Sequence, residues 1–253
     1  MSDRLGAETT AGVLTLTLSR PDKRNALDRL MIDALHNELD HADLDAHVKI
    51  VVLRGAGPDF CAGADLAELL DSVDKSPDEN ARDAAHLGGV FEKLRALPKV
   101  AVAVVHGRAL AGGCGLATAC DMVLAHEQAT FGYPEIKRGF VPAMVMAMLR
   151  RAVGEKVAFD LVATGRTLTA TEAANMGLVS RVLPAAGFEE AVAEIVDALS
   201  SGSQSALAFI KKQLYALDGL SFTEAVKLGA RTNAAARQTP DFVDAISRFL
   251  QKS

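Results

Sequence analysis

The run Lys99–His106, KVAVAVVH, has no polar face to turn toward water. A strand of that kind belongs inside a parallel sheet covered on both sides, and the chain around it repeats one plan of strand followed by helix. Val13–Leu18 alternates apolar residues with threonine, as a half-buried strand does, and Arg20-Pro21-Asp22 breaks it. From Asp28, which can serve as an N-cap, Leu30, Met31, Ala34, Leu35 and Leu39 recur at helical spacing. Ile50–Leu53 reads as a buried strand ended by Gly55-Ala56-Gly57-Pro58, and Asp65–Asp71 begins another helix. Asp74–Asn80 is polar and contains a proline, so it reads as a surface loop before a helix that runs to about Ala96 and is stopped by Pro98. After the apolar run, Gly107 and Ala111-Gly112-Gly113 open a helix over Cys114–Ala119, and short strands follow at Met122–Ala125 and Thr130–Gly132. The repetition predicts an α/β core with parallel or mixed sheet.

Beyond Val182 the pattern is amphipathic helix throughout. Capping boxes at Thr169 with Glu172, in a helix closed by Gly177, and at Ser221 with Glu224 support two of the helices. The predicted organisation is a core over residues 1–195 and a C-terminal helical region over 196–253, with the change of character falling within 184–203.

A chain of 253 residues, 49% of them hydrophobic, can bury a large core. It contains no apolar run long enough to span a bilayer, and MSDRLGAETT lacks the apolar stretch of a signal peptide, so a cytoplasmic location is expected. Cys61, Cys114 and Cys120 are odd in number and lie in Ala- and Gly-rich sequence, which predicts reduced, buried thiols. A net charge of -5 and a pI of about 5.7 argue against a nucleic-acid protein built on a broad basic face. An anionic ligand would need a local basic cluster, for which Arg20, Lys23 and Arg24 are one candidate and Lys211 with Lys212 another.

Several chemistries are excluded by what is missing. The chain has no GxxxxGK[ST], no GxGxxG after a strand, no GxSxG and no HExxH; His126-Glu127 lacks a second histidine. No Cys or His pair has metal-ligand spacing, so no metal is expected. Among the histidines only His106, at the end of the apolar run, lies near the segments that carry chemistry.

Those segments are two glycine-containing turns, Asp59–Asp65 and Ala111–Gly115, each after a strand and each opening a helix. Amide groups at a helix start are unpaired and backed by the positive end of the dipole. Two such turns can converge on one oxygen and stabilise an enolate, at about 3–4 kcal/mol per donor. Either turn alone is better explained by tight strand–helix packing, since glycine-rich strand-to-helix turns are common in α/β proteins. A third segment, Phe131-Gly132-Tyr133-Pro134-Glu135, sets a carboxylate just beyond an apolar stretch; if desolvated it has the raised pKa of a proton carrier at a carbon acid, and if exposed it simply begins a helix.

In this order and at these separations the segments closely resemble the crotonase (enoyl-CoA hydratase/isomerase) family. Arg20–Leu27 is similar to its first CoA-contact segment, Phe60–Leu66 to its first oxyanion turn, Ala109–Asp121 to its second, Phe131–Pro142 to its catalytic-glutamate segment, and Thr164-Gly165 through Gly177-Leu178-Val179 to its downstream stretch. The resemblance covers about residues 10 to 250. It implies a spiral core of repeated ββα turns with a C-terminal helical region completing the site, and assembly as homotrimers or paired trimers. It implies that acyl-CoA bends around Lys23, Arg24 and Ala26 and around Ala62, Asp65 and Leu66, with the thioester oxygen held by the N–H groups of Ala64 and Gly112 and with Glu135 as acid and base. No separate cofactor is implied, since coenzyme A enters as part of the substrate, and neither nucleic acid nor membrane is an expected partner.

One departure bears on the reaction. Many hydratases of the family carry a first glutamate where this chain has Gly115, and single-glutamate relatives act as Δ3,Δ2-enoyl-CoA isomerases. Glu135–Ala143 resembles instead the methylglutaconyl-CoA hydratase branch, some members of which also lack that glutamate. The expectation is an enoyl-CoA hydratase for a short or branched acyl group, with the isomerase as alternative and a CoA-binding scaffold or RNA-binding protein behind both. Glu68 and Asp65 are acids near enough in sequence to compensate, and Met144, Val145, Met146 and Met148 either line the acyl pocket or pack as an ordinary helix, as their spacing favours.

Overall fold

The computed structural model describes residues 3–251. Its strands are β1 (Leu5–Thr10), β2 (Val13–Leu18), β3 (Ile50–Gly55), β4 (Val100–Val105), β5 (Arg108–Leu110), β6 (Met122–His126), β7 (Thr130–Gly132), β8 (Thr167–Thr169) and β9 (Arg181–Leu183). Its helices are α1 (Arg29–Leu44), α2 (Leu66–Asp71), α3 (Pro77–Ala96), α4 (Gly112–Ala119), α5 (Met146–Val153), α6 (Glu155–Thr164), α7 (Ala170–Asn175), α8 (Phe188–Ser200), α9 (Gln204–Ala216), α10 (Phe222–Ala236) and α11 (Pro240–Gln251). The larger sheet has the order β1-β2-β3-β4-β6-β9, parallel except for β1; the smaller has the order β5-β7-β8.

The chain alternates between the two sheets. From β4 it crosses to β5 in the smaller sheet, returns through α4 to β6, crosses again to β7, and comes back through β8 and α7 to β9. The first turns obey the same rule with single bridges in place of strands, Leu27 to Ala64 and Cys61 to Ala109. Each turn is therefore a strand in one sheet, an extended contact in the other, and a helix, which is the ββα spiral the sequence implied.

β4 shows why its sequence has no polar face. Ala101, Ala103 and Val105 enter the main core under α1, α3 and α4, while Val100, Val102 and Val104 face Phe188, Val192 and Val196 of α8. Period-two alternation delivers one set to each side. The division placed at 195/196 falls within α8, which covers this second face, and α9–α11 follow it.

Two local expectations are corrected, and the sequence leaves four strands unassigned. Leu5–Thr10 is a strand; as an antiparallel edge it buries Leu5 and half-buries Ala7 against the core and leaves the rest exposed. The stretch expected as a loop up to Asn80 already contains the start of α3: Ser76 caps it in a capping box with Glu79, and Pro77 stands at the first helical position, where a missing N–H costs nothing. β5, β8 and β9 are three residues each, too short to show periodicity. Leu30, expected in the core face of α1, is 58% exposed. Among the described residues, no helix is long and apolar enough to cross a membrane.

Candidate active site

The two glycine turns meet. Gly63 has φ +94°, and a Cβ there would stand 2.7 Å from the Cβ of Ala111, 3.0 Å from the Leu110 oxygen and 3.1 Å from the Gly112 nitrogen. Only glycine satisfies both the dihedral and the approach. Gly113 is needed for a similar reason, since a Cβ on it would lie 2.4 Å from the Cys61 oxygen. Ala111, at φ 52° and ψ −128°, is a non-glycine residue in a sparsely populated region, held there by its N–H donating to Gly132 O at 2.8 Å.

Two amides are left without acceptors by this arrangement. Leu27 N–H donates to Gly63 O (2.8 Å) and Asp65 N–H to Leu27 O (2.9 Å), which flank Ala64 and leave its own N–H unpaired among the described residues. Gly112 is the first residue of α4, so its N–H has no intrahelical partner. The two lie close together: a Cβ on Gly112 would be 3.8 Å from Ala64 N. A helix N-terminus and two converging N–H groups favour an oxyanion.

Glu135 comes from the third segment. Leu110 pairs with Gly132 across β5 and β7, and Glu135 follows Gly132 in a 3-10 turn over Pro134–Arg138. Tyr133, fully buried, ties that turn to α4 through its hydroxyl and the Thr118 hydroxyl (3.1 Å), and Thr118 donates to Cys114 O (2.7 Å). Glu135 is buried, with Oε2 lacking any hydrogen-bond partner. Burial raises its pKa above the ordinary glutamate value, against a smaller opposing pull from a backbone hydrogen bond and Arg138. Burial, and in smaller part the Glu135 carboxylate itself, push the Cys114 thiol up to about 11.

The segments expected to hold coenzyme A run side by side. Ala62 N–H donates to Arg24 O at 2.9 Å and the Leu27–Ala64 bridge continues the pairing. Lys23, Arg24 and Leu66 are exposed, and Ala26, Ala62, Ala64 and Asp65 are half-buried along the same edge. Two expectations about basic clusters are corrected. Arg20 is buried and spent within the fold, bonding Ala26 O (2.7 Å), Asp65 Oδ2 (2.9 Å) and Asp28 Oδ2 (3.2 Å). Lys211 is buried too, its Nζ against Asp121 (2.7 Å), Leu94 O and Lys99 O. Asp65 likewise uses its carboxylate internally: burial would raise its pKa, but Arg20 and the Ala67 N–H hold it below the ordinary aspartate value. Glu68, considered as a substitute acid, accepts from Arg29 N–H at the start of α1. His106 bonds Gly57 O, joining two loops.

Three structural supports of the site escaped sequence reasoning. Asn25, fully buried at φ 54°, donates to Ala56 O (2.9 Å), Asp59 O (2.8 Å) and Phe60 O (3.2 Å) and accepts from Arg20 N–H (2.8 Å). Asp59 receives Arg108 Nε and Nη2, both at 2.7 Å, fixing the first turn to β5, and this pair holds its carboxyl below the ordinary range. Val145 and Phe91 cover Gly115, where a Cβ would lie 2.3 Å from Val145 Cγ1 and 3.2 Å from Phe91 Cζ. Each left a partial trace: Asn25 in the Arg20–Leu27 segment, Asp59 at the start of the first glycine turn and Val145 among the residues weighed between acyl pocket and helix packing. Among the described residues, no group of three or more His, Cys, Asp or Glu could hold a metal ion.

The site agrees with what the chain is similar to. Residues 8–253 match the family described as Enoyl-CoA hydratase/isomerase. A Thermus thermophilus relative, named provisionally as an enoyl-CoA hydratase, is 40% identical over 240 residues, 95% of each chain. The 2,3-dehydroadipyl-CoA hydratase of Escherichia coli is 34% identical over 241 residues, 95% of this chain and 92% of that one. Among solved structures, enoyl-CoA hydratase from Mycobacterium smegmatis superposes with a TM-score of 0.93 at 31% identity, covering 98% of this chain and 96% of that one. Human enoyl coenzyme A hydratase domain-containing protein 3 does so with 0.93 at 29% identity and 98% of both chains. With the spiral core, the paired turns and the buried glutamate all in place, the chain belongs to the enoyl-CoA hydratase/isomerase family of crotonase-fold enzymes.

Proposed function

We propose that this enzyme is an enoyl-CoA hydratase acting on a short or branched acyl-CoA thioester. The observation that carries this is the buried Glu135 carboxylate, with an oxygen that has no protein partner, in a chain whose Ala64 and Gly112 N–H groups approach each other unpaired. The thioester oxygen sits between the two amides. Glu135 takes a proton from water as the water oxygen bonds the β carbon, the electron pair of the double bond moves onto the thioester oxygen, and the same carboxyl returns the proton to the α carbon. Glu135 ends as it began, and one water is added. A pKa raised toward neutrality suits a group that must both accept and give a proton. The names of the relatives support hydration, and the packing of Phe91 and Val145 around Gly115 supports a short or branched acyl group.

In this reading coenzyme A lies along the edge formed by Lys23, Arg24 and Ala26 and by Ala62, Asp65 and Leu66. Lys23 and Arg24 offer charge to phosphates; Asp65 acts through its main chain, its carboxylate being held by Arg20. No further cofactor is required. The enzyme works in the cytoplasm as a trimer or paired trimers, a proposal supported by the exposed apolar residues Phe222, Val226, Val243 and Ile246 on α10 and α11.

Gly115 favours a second reading, migration of a double bond from C3 to C2, because one base suffices to move a proton between two carbons. Incubation in heavy water with 2-enoyl and 3-enoyl thioesters, including a dicarboxylic one, separates the two by product mass. A gain of water supports the hydratase; deuterium uptake or bond migration without added water overturns it in favour of the isomerase.

A further inference from the structure

We infer that Val145, backed by Phe91, sets the partition between water addition and double-bond migration at Glu135, an inference that rests on the thioester reading above. On α4, Gly112 and Gly115 are three residues apart and share a face. The atoms nearest a Cβ on Gly112 are Leu27 Cδ1 (3.7 Å), Leu87 Cδ2 (3.7 Å) and Ala64 N (3.8 Å); those nearest a Cβ on Gly115 are Val145 Cγ1 and Cβ and Phe91 Cζ. Leu87 and Phe91, four apart on α3, run along the same line, and all four side chains are buried. Beyond the amide pair, this face of α4 is therefore covered by hydrocarbon.

An apolar wall treats the two reactions differently. A water held for attack needs two or more polar partners, and the side chains of Leu27, Leu87, Phe91 and Val145 supply none. Migration needs none: Glu135 takes the C2 proton of a 3-enoyl thioester, the pair of electrons spreads to the thioester oxygen, and the proton returns to C4 as the double bond settles between C2 and C3. Val145 is the controlling residue because its Cγ1 reaches furthest over Gly115.

The test uses the full chain with matched 2-enoyl and 3-enoyl thioesters in isotopically labelled water, reading the ratio of initial hydration to initial migration by product mass. Val145→Thr keeps the shape and replaces a methyl by a hydroxyl, and one added hydrogen bond to water raises that ratio by about tenfold. Val145→Ser is the second variant should threonine be poorly accommodated. Loss of packing alone lowers both rates together and leaves the ratio where it was, so an unchanged ratio in a folded variant overturns the inference. Turnover of neither thioester by the parent, or turnover that survives Glu135→Gln, overturns instead the reading of the site on which it rests.

Discussion

Gly63 and Gly112 approach so closely that a Cβ on Gly63 would lie 3.1 Å from the Gly112 nitrogen. The two glycines nevertheless differ in what they tolerate. Gly112 has ordinary backbone and contacts no nearer than 3.7 Å, so Gly112→Ala folds with a melting temperature close to the parent's. Its new methyl stands 3.8 Å from Ala64 N, in the space the proposed function assigns to the thioester oxygen, and turnover is expected to fall by about 10²-fold or more. Gly63→Ala meets both a positive φ and a 2.7 Å contact, costing at least about 2 kcal/mol. Thermal unfolding and steady-state kinetics on the pair check both outcomes.

Glu135 is expected to give activity an acid limb lying above the ordinary glutamate value of 4.5, because its proton leaves later than usual and the proposed function makes the carboxylate the reactive base. Glu135→Gln lowers turnover by about 10²-fold or more and leaves coenzyme A binding intact, as rate profiles and a binding titration would report.

The same shift sets the sign of a stability effect. A carboxyl whose folded pKa is raised contributes stability below its unfolded pKa and loses it as pH rises through the folded value. Glu135→Gln is thus expected to stabilise the protein relative to the parent at neutral pH, with the advantage vanishing as pH falls below 4.5. Denaturant melts at two pH values test this; an advantage that grows toward acid contradicts it.

Lys211 is 5% exposed at its side chain and pairs with Asp121, which also accepts from Tyr215 (2.5 Å) and from Ala101 N–H (2.7 Å). Burial lowers the lysine pKa and the ion pair opposes that. Lys211→Met leaves a buried carboxylate without its cation and costs about 3–5 kcal/mol; adding Asp121→Asn recovers part of it. Equal losses in the single and double variants would show that packing, not charge, holds α9 to the core.

All three thiols are buried, and burial pushes Cys61 up to about 12 and Cys114 up to about 11. None is expected to react with a thiol reagent at pH 8 in the folded protein, and all three after denaturation. Rapid labelling of the native protein would show that the core around the first turn opens.

Much of the core was legible because its signals are local. The alternation in Val13–Leu18, the unbroken KVAVAVVH run and the Ser221/Glu224 capping box each report a backbone preference that neighbouring residues decide. β1 went unassigned and the start of α3 was misread, since an exposed edge strand and a proline at a helix start both look polar and irregular in sequence.

By itself, then, the sequence determined the repeated plan of strand followed by helix, the two glycine turns and the position of the acid on the chain. Only tertiary structure decided which of these groups have partners. It took Arg20 and Lys211 out of the pool of free cations by burying them against Asp65, Asp28 and Asp121, left Glu135 Oε2 and the Ala64 N–H unpaired, and filled the space over Gly115 with Val145 and Phe91. The physical reason is that burial and electrostatics depend on atoms brought together from distant parts of the chain, which no local pattern records.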